Sequence, residues 1–470
     1  MPTMDTRRRT LARSLCALLP LGLGCVKNAP ELFPPSSSHA PRALAAEEPA
    51  APVAIVHAHV WTGAGPSLDD GTVLLKDGRI AAVGPSAEIA VPAGARVVDA
   101  GGRWLTPGLI DTHSHLGVYA SPGVIAHSDG NEATAPVTAE VSAEHSFWPQ
   151  DPGLLRAAAG GVTAMLILPG SANLIGGRGF AIKNRIGRSA AAMHFPGARP
   201  MLKMACGENP KRVYGERRTA PSTRMGNYAG YRIAFAQARD YQIKWQVWTD
   251  KERKEGKPPP PRDLKLETLA EVLDGRIWVQ NHCYRADEML LMLDLADEFG
   301  FTIRSFHHAL EAYKIRDVLA KRGVAASTWA DWWGFKLEAF DGIPENLALV
   351  HAAGARAVVH SDSEMGIQRL NQEAGKALAS GRAMGLALSD DDALGWITRN
   401  PAWVLGVSDQ TGTLEVGKMA DVVVWSAHPL SVYALADLVL VDGHVVHDRG
   451  APPRQSDFEL GVLGGAEVTQ

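Results

Sequence analysis

The ordered pattern of apolar and polar positions begins at Val53. From 53 to 105 the short β-branched runs VAIVHAHVWTG, GTVLLKDGRIAAVG and ARVVDAGGRWLTPG are broken by turn residues, with Asp77-Gly78 where a two-residue hairpin needs positive φ. The end of the chain repeats this style in GTLEVGKMADVVVW and LADLVLVDGHVVHD, where Asp442-Gly443 marks a second hairpin. The two flanks, 53–105 and 401–455, are expected to join as one β-sandwich domain.

Between them, from 106 to 400, apolar strands alternate with segments of helical period such as ADEMLLMLDLADEFG, ALEAYKIRDVLAKRG and RLNQEAGKALASG. Strands alternating with helices predict parallel βαβ units, and a stretch of this length fits an eight-unit barrel with insertions. Trp245 to Lys265, mixed in charge and carrying Pro258 to Pro261, is expected to be a solvated insertion. The fold class is therefore α/β, a (β/α)8 TIM barrel with a small β-sandwich domain.

Composition narrows the partners. With 470 residues, 46% of them hydrophobic, the chain can bury one large core and a smaller one. A net charge of -4 excludes a strong field for nucleic acid and leaves small molecules as partners. Association of identical copies is left open.

Residues 1–25 look like an export signal. Arg7, Arg8 and Arg9 precede the apolar run Leu15 to Gly24, which is too short for a stable span. Arg8-Arg9-Thr10-Leu11 resembles a twin-arginine signal, and LGLGC ending at Cys25 resembles a lipoprotein cleavage box, although Gly22 stands where leucine is usual. A rival cut at Ala43-Leu44-Ala45 lies far from the apolar run. Residues 26–52, rich in Pro, Ala and Ser, read as a flexible tether. The expectation is an exported protein, periplasmic or anchored as a bacterial lipoprotein, touching membrane only through Cys25. Cys206 and Cys283 alone fall in the folded part, so no disulfide framework is expected and both read as core thiols.

Candidate chemistry collects at strand ends, where barrel enzymes keep their catalytic groups. In TPGLIDTHSHLGVY, His113 and His115 share one face of a strand with Leu109 and Asp111. RIWVQNHCYR ends in His282, FTIRSFHHALE in His307 and His308, and ARAVVHSDSEM in His360-Ser361-Asp362. Polar groups buried there without partners would each cost about 1–3 kcal/mol, and a shared divalent cation would satisfy them together. The separations, 169 residues from His113 to His282, 26 to His308 and 54 to Asp362, place the ligands on strands one, five, six and eight.

Together PGLIDTHSH, NHCYRADE, HHALEAYK, HSDS, ITRNPAWVLGV and GTLEVGKMADVVVW resemble the amidohydrolase superfamily, in its imidazolonepropionase-like branch, over about residues 53–450. The resemblance implies His113 and His115 as first-strand ligands, His282 as the fifth-strand ligand and His308 as the sixth. His308 is preferred to His307 because a small residue follows it. Asp362 is implied as eighth-strand ligand and general base. On the fourth strand Lys203 is favoured as a carboxylated bridge between two metals, with Glu208 as the rival. His360 is a candidate for contact with substrate or with metal-bound water.

The implied cofactor is a divalent metal, zinc first, as one or two ions. The implied reaction is hydrolysis of a C–N bond in a small amide: a dipeptide, an acyl amino acid or a cyclic amide. A deaminase of a heterocyclic amine and an inactive tethered binding protein are the alternatives. Arg178, Lys183 and Arg212 are candidate anchors for a substrate carboxylate. Trp329, Trp332 and Trp333 are candidate walls for a cyclic substrate, with barrel packing as the competing role.

Overall fold

The structure is a computed structural model and describes residues 51–451. The leader, Cys25, the rival cut and all but the last two residues of the tether lie outside them.

The N-terminal flank folds as β1 (Val53–Val60), β2 (Leu68–Lys76), β3 (Arg79–Pro85), β4 (Arg96–Asp99) and β5 (Trp104–Pro107). The barrel strands are β6 (Leu109–Ser114), β7 (Val162–Ile167), β8 (Ile175–Lys183), β9 (Met201–Ala205), β10 (Trp278–Cys283), β11 (Ile303–His308), β12 (Ala325–Thr328) and β13 (Ala357–Val359). The C-terminal flank adds β14 (Val422–Trp425), β15 (Ala436–Val441) and β16 (His444–Asp448).

The flanks form a separate eight-stranded sheet in the order β16-β15-β14-β5-β1-β2-β3, with β4 paired to β1. The two flanks meet where β14 pairs antiparallel with β5, Val424 opposite Leu105. Ile55, Val73, Leu105, Val422 and Leu440 form its core. Both expected hairpins are present, with Asp77 and Gly78 at φ 51° and 73° and Asp442 and Gly443 at 51° and 77°.

The second sheet runs β13-β12-β11-β10-β9-β8-β7-β6, a nearly closed barrel of eight strands. Its strands are buried almost throughout because helices such as Arg224–Val247, Ala286–Phe299 and Leu370–Ala383 cover the outside. One strand departs from the expected parallel pattern: β8 pairs antiparallel with both β7 and β9. The seven residues from Leu168 to Leu174 cannot hold the crossover that a parallel return requires, so the chain doubles back. Close packing of β6 explains the glycine in PGLID, since a Cβ on Gly108 would lie 2.0 Å from Thr163 Oγ1. The stretch 253–263 of the expected insertion is largely exposed.

Cys206 and Cys283 are not separate core thiols. They form a disulfide, Cα atoms 5.2 Å apart, between the C-terminal ends of β9 and β10. Their separation of 77 residues conceals the contact, which arises because these strands are neighbours, with Ala205 opposite His282.

Candidate active site

The centre starts from β6. His113 and His115 project to the same side, and their Nε2 atoms lie 3.3 Å apart. Asp362 reaches them from just beyond β13, its Oδ1 3.1 Å from His115 Nε2 and 3.5 Å from His113 Nε2. Lys203, in the middle of β9, brings Nζ to 3.2 Å from His113 Nε2 and donates to the Pro169 carbonyl at 3.0 Å. His282 and His308, from β10 and β11, stand beside this group with ring centres 4.4 Å apart.

Hydrogen bonds behind the rings decide which nitrogens face inward. The Gln280 carbonyl oxygen is 2.7 Å from His307 Nε2, and His307 Nδ1 is 3.1 Å from His113 Nδ1. With the amide oxygen accepting, His307 is protonated at Nε2 and accepts from His113 Nδ1, which leaves His113 Nε2 with a free lone pair toward the centre. The Leu168 carbonyl, 2.8 Å from His115 Nδ1, fixes the same tautomer there. Ser171 Oγ holds His282 Nδ1 at 2.8 Å, while buried His282 Nε2 and His308 Nδ1 find no hydrogen-bond partner among the described residues.

The charge states suit a cation. Burial first, then the neighbouring Lys203 and histidines, holds His113 well below the ordinary imidazole range. Burial likewise keeps His282, His307 and His308 neutral, and brings His360 down to about 3. Burial lowers Lys203 to about 7. For Asp362 burial acts upward, but the hydrogen bond and charge of His115, with His360 and Lys203, outweigh it and keep the carboxylate below its usual range. Neutral imidazoles, one ionised carboxylate and an amine that loses its proton near neutrality are a donor set for a divalent ion. His113, His115 and Asp362 offer ligand atoms within 4.8 Å of one another, as do His113, His308 and His360. With the orphaned nitrogens of His282 and His308, the residues fit a metal centre.

Asp111 ties the centre to the barrel seam. It accepts from the His113 N–H at 3.0 Å, the Ser361 N–H at 3.1 Å and the Ser361 hydroxyl. Burial pushes its carboxyl up to about 7 against those donors. The Asp362 N–H donates to the His113 carbonyl at 2.9 Å, so β6 and the end of β13 are fastened at the site. Asp362, His308 and Ala309 have φ of 51°, 69° and 34°, left-handed values that non-glycine residues adopt at some cost and that cluster at functional sites.

The expected residues separate clearly. His113, His115, Lys203, His282, His308 and Asp362 are brought together. His307 lies behind His113, and His360 Nε2 accepts the His308 N–H at 3.1 Å, bracing that strand end. Glu208 starts the helix Glu208–Glu216 and lies 3.9 Å from Lys336, apart from the histidines.

The three cations expected to hold substrate are engaged elsewhere. Arg178 pairs with Glu271 at 3.0 Å and Thr268 at 2.8 Å on the helix Leu264–Leu273. Because β8 is antiparallel, Lys183 ends near the start of β7, opposite Ala164, bound to Asp421 at 2.7 Å and Asp442 at 2.5 Å. Arg212 is exposed beside Glu216, 4.0 Å away. A parallel third strand would have carried Lys183 to the mouth, which is why the sequence misplaces it.

Gln280, Ser171, Asp111 and Tyr284 were missed as site residues. Gln280 had a signal, being two positions before His282 on the same face; Ser171, in a loop, had none. Tyr284 and Trp329 each stack against the His308 ring, at 5.0 Å and 4.7 Å. A cavity of about 420 Å³, lined by Asp129, Asn131, Glu140, Ser142 and Pro169 among others, adjoins the centre through Pro169.

Comparison with known proteins places the chain among amidohydrolases. Residues 325–447 match the model of the Amidohydrolase family. An amidohydrolase of Thermotoga maritima of solved structure is 37% identical, with a TM-score of 0.77, covering 84% of this chain and 100% of its own. The amidohydrolase tasK of Hapsidospora irregularis is 36% identical over 432 residues, 84% of this chain but 43% of that longer protein. The imidazolonepropionase of Cereibacter sphaeroides is 27% identical over 401 residues, 77% of this chain and 90% of its own.

Proposed function

The chain belongs to the amidohydrolase superfamily, and on that premise we propose that it is a metal-dependent hydrolase cleaving a C–N bond in a small amide: a dipeptide, an acyl amino acid or a cyclic amide. The observation that carries this reading is the convergence of His113 Nε2, His115 Nε2, Asp362 Oδ1 and Lys203 Nζ beside His282 Nε2 and His308 Nδ1, which lack a hydrogen-bond partner among the described residues. His113, His115 and Asp362 would hold one ion and His282 and His308 a second, with Lys203, carboxylated on its neutral amine, between them. Zinc suits this set of imidazoles and one carboxylate. When bound, the metal supplies Lewis acidity for the substrate carbonyl and lowers the pKa of water.

The chain supplies the proton transfers. Asp362, kept ionised by His115, accepts the proton of the attacking water at a carboxylate oxygen and returns it to the departing nitrogen. The relay from Gln280 through His307 holds His113 in one tautomer throughout.

Metal analysis of the purified protein, with a panel of dipeptides, acyl amino acids and cyclic amides, tests this reading. About two ions per chain, falling to one or none in Lys203→Ala, and a loss of about 10²–10⁴ in kcat for folded Asp362→Asn are expected. Ammonia release from heterocyclic amines without amide cleavage would overturn the substrate class.

We further propose that the protein is exported. The leader motif supports this, and so does the disulfide, since such bonds persist in oxidising compartments. Cell fractionation of wild type and Cys25→Ser tests it, with loss of membrane association expected in the variant.

A further inference from the structure

A chain of aromatic rings leads out from the metal ligands. His308 stacks on Trp329 at 4.7 Å, Trp329 meets Trp332 edge-on at 4.8 Å, and Trp332 meets Phe335 at 5.7 Å. Tyr284 also stacks on His308, lies 6.3 Å from Trp329 and reaches Phe335 at 6.2 Å. Exposure rises along this path, from 4% at Trp329 to 44% at Trp332 and 49% at Phe335. Rings present only to fill the core would be covered at both ends. Here the inner end is sealed against the centre, and the outer end is open.

The charge beside the rings is already balanced. Lys336 Nζ lies 4.1 Å over the Tyr284 ring but is held by Glu338 at 2.8 Å. Recognition on this side of the mouth therefore rests on apolar and π contact, the Lys336 charge being engaged by Glu338.

We propose that Trp332 and Phe335 form a specificity subsite for a flat apolar ring of the substrate, carried next to the amide that is cleaved. The rings are two contacts away from His308 and continuous with it, which places the occupant in the same molecule that the centre acts on. This inference deepens the amidohydrolase reading and rests on it.

Hydroxamates separate the two, because their metal-chelating group does not depend on knowing the substrate. Acetohydroxamate and benzohydroxamate are titrated calorimetrically into zinc-loaded wild type, Trp332→Ala, Phe335→Ala and the conservative Trp332→Phe. In wild type benzohydroxamate binds more tightly, and in the alanine variants its preference over acetohydroxamate falls by about tenfold, or about 1.4 kcal/mol, in line with a lost aromatic contact. Acetohydroxamate affinity stays constant, and Trp332→Phe keeps most of the preference. Equal preference in wild type and variants overturns the subsite while leaving the metal centre standing. The same result with concentration-dependent association lost in the variants assigns the rings to a second copy and overturns it too. Failure of both hydroxamates to bind zinc-loaded protein overturns the metal reading and the subsite with it.

Discussion

Removing the Cys206–Cys283 bridge by the double substitution Cys206→Ala/Cys283→Ala should destabilise the barrel by an amount set by the loop it closes. With the cysteines 77 positions apart in sequence, the chain-entropy relation gives about 15 cal/mol/K, or about 4.5 kcal/mol near 25 °C. A fold of roughly 400 ordered residues unfolds with an entropy of about 2.1 cal/mol/K per residue, so the loss corresponds to a fall in Tm of about 5 °C. The two strand ends also carry the centre, since Cys283 follows His282 directly and Cys206 lies three positions after Lys203. Differential scanning calorimetry of wild type and the double variant, with thiol titration of the denatured proteins to verify the bond, measures the effect. Metal content is read in parallel and should fall with stability. If the double variant melts with wild type while wild type carries the bridge, the bond does not constrain the unfolded chain as reasoned.

Two further outcomes follow from buried charge. Lys203 titrates near 7 when folded against an ordinary 10.5, so between those values the unfolded chain holds one more proton and stability rises with pH. Metal-free Lys203→Met should lose that rise, seen as flat urea midpoints from about pH 7 to 10 where wild type climbs; a parallel climb would refute a neutral buried amine. Asp111→Asn keeps one oxygen for the two backbone N–H groups but turns an NH₂ toward the donating Ser361 hydroxyl, costing about 1–3 kcal/mol. It should also weaken metal binding about 10–100-fold, as outer partners of ligands do, measured by competition with a chelator.

Much of the centre was legible because its signal is local. A strand has a fixed period of two, so His113 with His115 declares a face, and polar residues closing apolar runs mark a barrel's working end. Asp77-Gly78 and Asp442-Gly443 announced their hairpins for the same reason, since few residue pairs take positive φ twice. What escaped was non-local. The antiparallel turn of β8 follows from the short connection Leu168–Leu174, whose length shows only once both strand ends are placed, and its reversal sent Lys183 to Asp421 rather than to the mouth. The disulfide and the Gln280–His307–His113 relay exist only once neighbouring strands are in register.

The same features that make the centre competent make it costly when empty. Asp362, His308 and Ala309 sit in left-handed conformations worth about 1–3 kcal/mol of strain each, and His282 Nε2 and His308 Nδ1 are buried without a hydrogen-bond partner among the described residues. These costs fall on the strand ends whose mutual position defines the site, so the barrel must be held there by other means. The structure supplies three: the disulfide across β9 and β10, the Asp111 links across the β6–β13 seam, and the Trp329 and Tyr284 rings against His308. The first two each clamp a pair of strands whose ends bear ligands, and the rings brace His308 from the ends of β10 and β12. An ion that binds only the folded chain then adds about 4.1 kcal/mol of stability at a thousandfold excess over its Kd. The melting temperature should consequently rise on zinc addition in wild type, and rise less in His282→Ala, where one of the two orphaned nitrogens is gone. An equal rise in both would mean that the ion does not use His282, and that the unpaired nitrogen on β10 has a different purpose.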